Sequence, residues 1–509
     1  MKYLHLVFFL LSVTNFGMCA KILAIFPFPT YSHYILGSKI MKKMAERGHE
    51  ITIISYFKEN SVVKNWKEIV LYEDQDRRES MIKSEFTQKK SFFKNTLDVF
   101  LVNTLFSELI FKNTEVQKIF KNTYDLVVYD KFLSQIYTAL GYHFKCPVVC
   151  ITTVYANIFI NFLVENPHYT SITPNVHSDL TSYMNLWERF INFIYDSIFM
   201  GLMHLYSIPT ENKILQETLG PMPHLKKLIN NVDLFLLNSH HSLCPNIPLA
   251  PSMKEIGGVH ISPPKKLPSE IQDYLDNSEN GVVYFSMGSI LESYLLPNKV
   301  LLAFQTFFAN ISQNVLWKFK GNVGNISKNV KVMEWIPQQD VLAHKNTKVF
   351  ISHCGAMSMI ESVYHGCPII CIPIFADQFI NAEYGSFNKY AIRLRFNKLD
   401  ALDLQNALKN ILDNPIYKEK AKHHSKLLLD NPKKPMDTAL FWLEYVIKHK
   451  GLPYTKSNAL NLNWYQKNYL DLIIFLFFIL CFLYYVFKVI CKGIQQILNF
   501  VLIYFLYVL

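Results

Sequence analysis

Short apolar runs of strand length recur along this chain in two series, and those of the first series are continuously apolar instead of alternating with polar residues. The first series is "KILAIFPF" (21–28), "HEITIISY" (49–56), "DLVVYD" (125–130), "PVVCITT" (147–153) and "DLFLLNS" (233–239). The second is "GVVYFSMGS" (281–289), "NVLWKFKG" (314–321), "VKVMEWIP" (330–337), "KVFISHCG" (348–355), "PIICIPIF" (368–375) and "AIRLRF" (391–396). An alternating strand can wet one face. A continuously apolar one needs cover on both, which a parallel sheet flanked by helices provides. Between the first two runs, "GSKIMKKMAERG" (37–48) has helical spacing and a glycine stop at Gly48. This order predicts an α/β fold with two Rossmann-like domains facing a cleft, residues 21–243 and 271–455. The stretch "CPNIPLAPSMKEIGGVHISPPKKLPSE" (244–270), rich in Pro, Gly and Lys, reads as the linker. In such sheets ligands bind outside the carboxyl ends of the strands, so polar residues at run ends are the first place to look.

The two ends of the chain read as membrane-directed. Residues 1–20, "MKYLHLVFFLLSVTNFGMCA", hold one Lys, an apolar core and small residues, which predicts a signal peptide cleaved after Ala20, with Met18 a poor fit to the cleavage pattern. A transmembrane helix is predicted over 470–490, around the uninterrupted apolar run Leu472–Phe487. Lys488 and Lys492 follow it and mark the cytoplasmic side, which places the body in a lumenal or extracellular space. Sequons at Asn310 and Asn325 agree with that side. The apolar tail 491–509 reads as an interfacial segment or half of a second span. The segment 184–208 is also apolar, but Glu188, Arg189 and Asp196 argue for an amphipathic or core helix.

The chain has 509 residues, more than one core serves; 50% are apolar and 18% charged, which excludes a disordered chain. The net charge of +11 comes from scattered Lys and Arg with no aromatic–basic interleaving, so no nucleic-acid partner is expected, while a lipid surface is. Of nine cysteines, Cys19, Cys481 and Cys491 lie at the membrane-directed ends. The other six show no metal-ligand spacing and read as buried free thiols, with no disulfide assignable.

Residues 335–378 concentrate polar groups at run ends. Trp335 and Gln338 follow one run, His353 the next, Asp377 and Gln378 the third. Ser358 and Glu361 have the spacing of a capping box, which predicts a helix starting after Gly355. The free N–H groups and positive end of such a helix attract a diphosphate. A Trp stacks on a flat base, a Glu accepts from ribose hydroxyls, and an Asp–Gln pair grips sugar hydroxyls. Plainer readings stand beside these: Glu361 as a cap partner, His353 as a strand-end histidine, Trp335 as core, and Asp377 as a helix N-cap.

The pieces "WIPQQDVLAH", "FISHCG", "ESVYHG" and "IPIFADQ" resemble the signature of the family 1 UDP-glycosyltransferases of the membrane-bound animal type. Similarity extends to "RGHEITIIS", "NPHYT", "LWERFINF", "VVYFSMGS" and the C-terminal span, nearly the whole chain. The resemblance implies a GT-B fold, an inverting mechanism, no metal and no cofactor, the UDP-sugar being a co-substrate. It implies that Trp335 stacks on uracil with Gln338 nearby. His353, the backbone of Cys354 and Gly355, Ser289 and Ser358 would face the diphosphate. Glu361 would hold the ribose, and Asp377 and Gln378 the sugar. Two positions depart from the pattern. The family usually has His-Gly-Gly where this chain has His353-Cys354-Gly355, and Met357 replaces a polar residue. A cysteine side chain there would crowd the diphosphate unless the loop adjusts.

Transfer onto a hydroxyl needs a base, and histidine titrates in the right range. His33 follows the first run at the start of the first helix, whose positive end disfavours protonation. Asp130 ends the "DLVVYD" run and could orient the ring; Asp125, before that run, points to the wrong edge. The resemblance assigns His33 as base and Asp130 as its partner; helix capping and a strand-end turn are the plain alternatives. The expectation is an endoplasmic reticulum, single-pass enzyme with a lumenal body. It would move a hexose from UDP-glucose or UDP-glucuronate, with a weak lean to glucose, to a small lipophilic acceptor held near 92–111 and 184–206. A homo-oligomer stays open, and so does retention, because the chain continues past Lys492 and lacks a terminal dilysine. The contrasting expectation is a membrane-tethered carrier of lipophilic ligands whose donor site Cys354 and Met357 have damaged.

Overall fold

The computed structural model describes residues 19–71, 92–132, 134–288 and 296–509; the signal segment 1–18 and Ser289 lie outside them. The first sheet has seven parallel strands: β1 (Lys21–Ile25), β2 (Glu50–Ser55), β3 (Trp66–Val70), β4 (Leu126–Asp130), β5 (Val148–Thr152), β6 (Leu234–Leu237) and β7 (Met253–Glu255). Their order is β3-β2-β1-β4-β5-β6-β7, so the winding reverses between β1 and β4. The second sheet has six: β8 (Val282–Ser286), β9 (Asn314–Lys318), β10 (Val330–Met333), β11 (Thr347–Ser352), β12 (Ile369–Cys371) and β13 (Ala391–Arg393). Their order is β10-β9-β8-β11-β12-β13, with the reversal between β8 and β11. At such a reversal the connections on either side of the two central strands leave in opposite directions. A crevice opens there at the carboxyl edge.

The central strands β1, β4, β5, β8 and β11 are almost wholly buried, as their continuous apolar runs require. Helices cover both faces of each sheet. Those that bear on the site are α1 (Tyr31–Glu46), α2 (Phe92–Lys112), α3 (Leu186–Leu202), α4 (Gln338–Ala343), α5 (Ala356–Tyr364), α6 (Gln378–Phe387) and α7 (Pro435–His449). Gly37 lets α1 lie close on the end of β1, because a Cβ there would run into the ring of Phe26.

Three boundaries differ from the sequence reading. The stretch 244–270 is more than a linker. It carries β7, which pairs with β6, and its Ile256 and Val259 join the core of the first sheet. The expected second domain, 271–455, does not keep its last helix. Ala439, Leu440, Leu443 and Val446 of α7 pack with Ile22, Ala24 and Met44 of the first sheet's core. The chain through Lys456 is accordingly one compact unit holding both sheets, and Ser457–Leu509 is a second. In that second unit the predicted span 470–490 and tail 491–509 are not separate. One helix, α8, runs from Leu470 to Val508 through Lys488 and Lys492. No proline interrupts it, and the 39-residue helix is long and apolar enough to cross a bilayer.

Candidate active site

The end of β1 and the end of β4 are neighbours, with Ile25 beside Tyr129. The chain after β1 turns into α1, and His33 falls in its first turn; Asp130 is the last residue of β4. The His33 Nδ1 and Asp130 Oδ2 lie 2.7 Å apart, with both residues buried. A carboxylate only accepts, so Nδ1 carries the proton and Nε2 keeps its lone pair. Nε2 faces the Thr153 hydroxyl at 3.4 Å, and the rings of Phe28 and Phe132 flank the imidazole at 5.3 and 5.4 Å. His33 does not cap its helix; the N-cap is Thr30. Asp125 lies at the opposite edge, accepting from the Lys21 N–H at 2.8 Å.

The second sheet supplies the rest. Trp335 is 60% exposed, so it is not core; the Lys318 ammonium lies 5.0 Å from its ring centre and Tyr31 meets it edge-on at 5.8 Å. Gln338 opens α4, accepts from the Tyr284 hydroxyl at 3.1 Å, and donates to Glu361 and to the Ser358 hydroxyl. Gln339 donates to the other Glu361 oxygen at 2.8 Å, and the His260 Nε2 lies 3.4 Å from it. Burial alone would push the Glu361 carboxyl up, but His260, Gln338 and Gln339 together hold it below its ordinary value. The expected capping box is absent. The N-cap of α5 is Gly355, so Ser358 and Glu361 lie inside the helix and their side chains turn to Gln338.

His353 follows β11, and its ring fills space that two glycines leave open: a Cβ on Gly288 would come within 2.5 Å of it and one on Gly355 within 2.7 Å. Burial, with the Lys318 charge nearby, pushes His353 down to about 4, so it is neutral at physiological pH. Asp377 holds the N-cap position of α6, but its side chain makes no capping bond there. Its Oδ2 accepts from the Asn381 amide at 2.7 Å and from the Ala356 N–H at 3.3 Å. Burial raises the Asp377 carboxyl above its ordinary value. The Gln378 side-chain oxygen accepts from the N–H groups of Ile374 and Phe375, at 2.8 and 3.2 Å.

Cys354 corrects the sequence reading twice. It is not a free thiol: it forms a disulfide with Cys371. Nor does its side chain crowd the site, because it is fully buried among Met359, Val363 and Ile369. The pairing was invisible in the sequence because it depends on β11 lying against β12, with Ser352 opposite Cys371.

One cleft of about 810 Å³ collects these groups. His33 lines it from the first sheet, with Asp130 behind; Trp335, Gln338, His353, Gly355, Met357, Ser358, Glu361, Asp377 and Gln378 line it from the second. Next to His33 the wall is apolar, formed by Phe28, Val99, Val102, Phe106 and Phe132. Helix α2 thus contributes as expected from 92–111. Residues 184–206 do not line the cleft; α3 turns Leu186, Trp187 and Phe190 to the outside. Lining residues that the sequence reading missed are Lys39, Thr153, His260, Lys318 and Gln339. Lys318 ends β9 and Thr153 follows β5, so the strand-end rule reaches both; His260 was hidden in the presumed linker. The asparagines of both sequons, Asn310 and Asn325, are exposed.

Paired parallel sheets with a shared cleft are the architecture of GT-B glycosyltransferases, and solved structures of that class align along most of the chain. The calicheamicin glycosyltransferase CalG4 matches with a TM-score of 0.55 and 17% identity over 85% of this chain and 99% of its own. A UDP-glucose: anthocyanidin 3-O-glucosyltransferase in complex with UDP matches with a TM-score of 0.52 and 16% identity over 84% and 99%. Residues 20–502 match the family model "UDP-glucoronosyl and UDP-glucosyl transferase". UDP-glucosyltransferase 2 of Dactylopius coccus is 33% identical over 481 residues, 93% of each chain. UDP-glucuronosyltransferase 2B7 of Homo sapiens is 30% identical over 493 residues, 90% of each. The chain belongs to the UDP-glucuronosyl and UDP-glucosyl transferase family, enzymes that transfer a sugar from a UDP-sugar to an acceptor.

Proposed function

We propose that the protein transfers a hexose from UDP-sugar to a hydroxyl of a small lipophilic acceptor, with inversion, using His33 as base. The observation that carries this is the 2.7 Å His33–Asp130 pair, open on its Nε2 side to the cleft that Trp335, Glu361 and Asp377 share. An acceptor seated against Phe28, Phe106 and Phe132 would present its hydroxyl to Nε2. The base takes that proton as the oxygen attacks the anomeric carbon and UDP departs from the opposite face; Asp130 stabilises the imidazolium that forms. Neutral His353 and the N–H groups opening α5 meet the diphosphate, whose negative charge grows as the bond breaks. Ser289, Cys354 and Gly355 belong to that cradle through the backbone or hydroxyl, Trp335 and Gln338 to the base, Glu361 to the ribose, and Asp377 with Gln378 to the sugar.

Glucose is favoured over glucuronate. A glucuronate carboxylate beside Asp377 would meet like charge. The cleft lysines lie elsewhere, with Lys39 bound to Ser262 at 3.2 Å and Lys318 beside Trp335. No metal or cofactor enters this scheme. The carrier reading rested on a donor loop damaged at Cys354 and Met357; the Cys354 side chain is buried away from the cleft, while Met357 lines it. The apolar helix α8, the sequons and the lysines within that helix support a membrane-anchored enzyme of the endoplasmic reticulum with a lumenal, glycosylated body.

The test uses full-length protein in microsomes, offered UDP-glucose and UDP-glucuronate with a panel of phenols and sterols. Glucoside formation is expected. Absence of UDP quenching of tryptophan fluorescence together with absence of transfer from either donor would overturn the proposal.

A further inference from the structure

The turn between β11 and α5 is held in an unusual way. Cys354 has φ +65°, a left-handed backbone that glycine adopts freely and a side chain resists. Such a residue persists only where its surroundings over-determine it. Here the disulfide does so. It joins Cys354 to Cys371, the last residue of β12, with Cα atoms 5.7 Å apart, a separation such bridges span without distortion. Two hydrogen bonds tie this turn to the start of α6, and a third, within that segment, links their partners. The Cys354 carbonyl accepts from the Asn381 amide at 3.0 Å, Asp377 accepts from the Ala356 N–H at 3.3 Å, and Asn381 donates to Asp377 at 2.7 Å. The residues on both sides of Cys354, His353 and Gly355, line the cleft.

We propose that the Cys354–Cys371 disulfide is a positioning element of the donor site, which braces the left-handed turn and locks the diphosphate loop to the segment bearing Asp377 and Gln378. The inference rests on the reading of this cleft edge as the UDP-sugar site. The bridge does for a cysteine what conformational freedom does for a glycine, and it makes donor affinity sensitive to redox state. Reduction by a dithiol passes two electrons and two protons to the bridge, leaving two thiols and an oxidised cyclic dithiol. Cys354 is then free to leave the left-handed region, and the His353 ring and the N–H groups of Gly355 and Ala356 lose their fixed aim. The His33–Asp130 pair, on the other sheet, is untouched.

The experiment uses the full chain in detergent. Peptide mapping without reductant is expected to yield a Cys354–Cys371 crosslinked peptide. Reduction with dithiothreitol, verified by alkylation of both thiols, is expected to raise the UDP Kd about tenfold. Cys371→Ala should show the weakened affinity without reductant and no response to it. Cys354→Gly lacks the bridge but tolerates the turn; it should ignore reductant and bind UDP more tightly than Cys371→Ala does. Hydrogen exchange of the amides in 353–358 should speed up on reduction. That readout needs no ligand: an oxidised protein that fails to bind UDP sinks the functional reading, while the brace is still judged by exchange. Free thiols at both positions in the native protein, an unchanged UDP Kd after verified reduction, or unchanged exchange would each overturn the proposal.

Discussion

His33 and His353 both stand at the reversal of a sheet and have opposite surroundings. Each follows a strand at the reversal of its sheet, β1 in the first and β11 in the second. His33 has a buried carboxylate 2.7 Å from Nδ1. His353 has no such partner among the described residues; it is buried near the Lys318 ammonium and pushed down to about 4. A ring hydrogen-bonded to a carboxylate can accept a proton from an acceptor hydroxyl. A ring kept neutral by burial and a nearby cation can only hydrogen-bond to a phosphate oxygen. Both reversals bring a histidine to the cleft, and it is the neighbours that separate the proposed catalytic half from the proposed donor-binding half.

That division can be broken from either side. The largest effect short of removing the base itself is expected from Asp130→Asn, which offers the ring a donor as well as an acceptor and disturbs its tautomer. Transfer should fall about 10²–10³-fold with the UDP Kd unchanged, measured as kcat and by fluorescence titration. Glu361→Ala should act on the other half, raising the UDP Kd about 10–100-fold. It removes a charged hydrogen-bonding group and leaves Gln338, Gln339 and His260 facing a void. Trp335→Ala should weaken UDP about tenfold by loss of stacking while leaving the melting temperature unchanged, because the ring is 60% exposed. The smallest effect is on acid stability. His353 and His177 are both held at about 4 by burial, whereas an unfolded chain protonates them near 6.5. The unfolded state binds more protons between those values, so stability is complete above pH 6.5 and declines as pH falls toward 4. Roughly 1 kcal/mol should be lost between pH 7 and pH 6, measured by denaturant titration.

How far the sequence carries depends on how local the physics is. All eleven apolar runs are strands; the central ones are buried on both faces and need no further information, while the edge strands β10 and β13 are only half-buried. The two missed strands lie at an edge. β3, "WKEIV", is half-exposed and mixes charge with apolar residues. β7, Met253–Glu255, is three residues long inside a Pro-rich stretch. His33, Asp130, Trp335 and Asp377 were found because strand ends are readable and ligands gather there. What escaped was long-range. The disulfide required knowing which strand lies beside β11, and the return of α7 to the first sheet required the whole fold. The Ser358–Glu361 spacing was right about a helix starting after Gly355 but wrong about the cap: Gly355 is the N-cap, and Gln338 claims both side chains.

The separation of catalysis from donor binding is tested most directly by His33→Ala, with UDP affinity and sugar transfer measured on the same full-length preparation. Removal of the base should lower kcat about 10³-fold or more while the UDP Kd stays within about twofold. Transfer retained within about tenfold of the natural protein, or UDP binding lost together with transfer, would contradict the account.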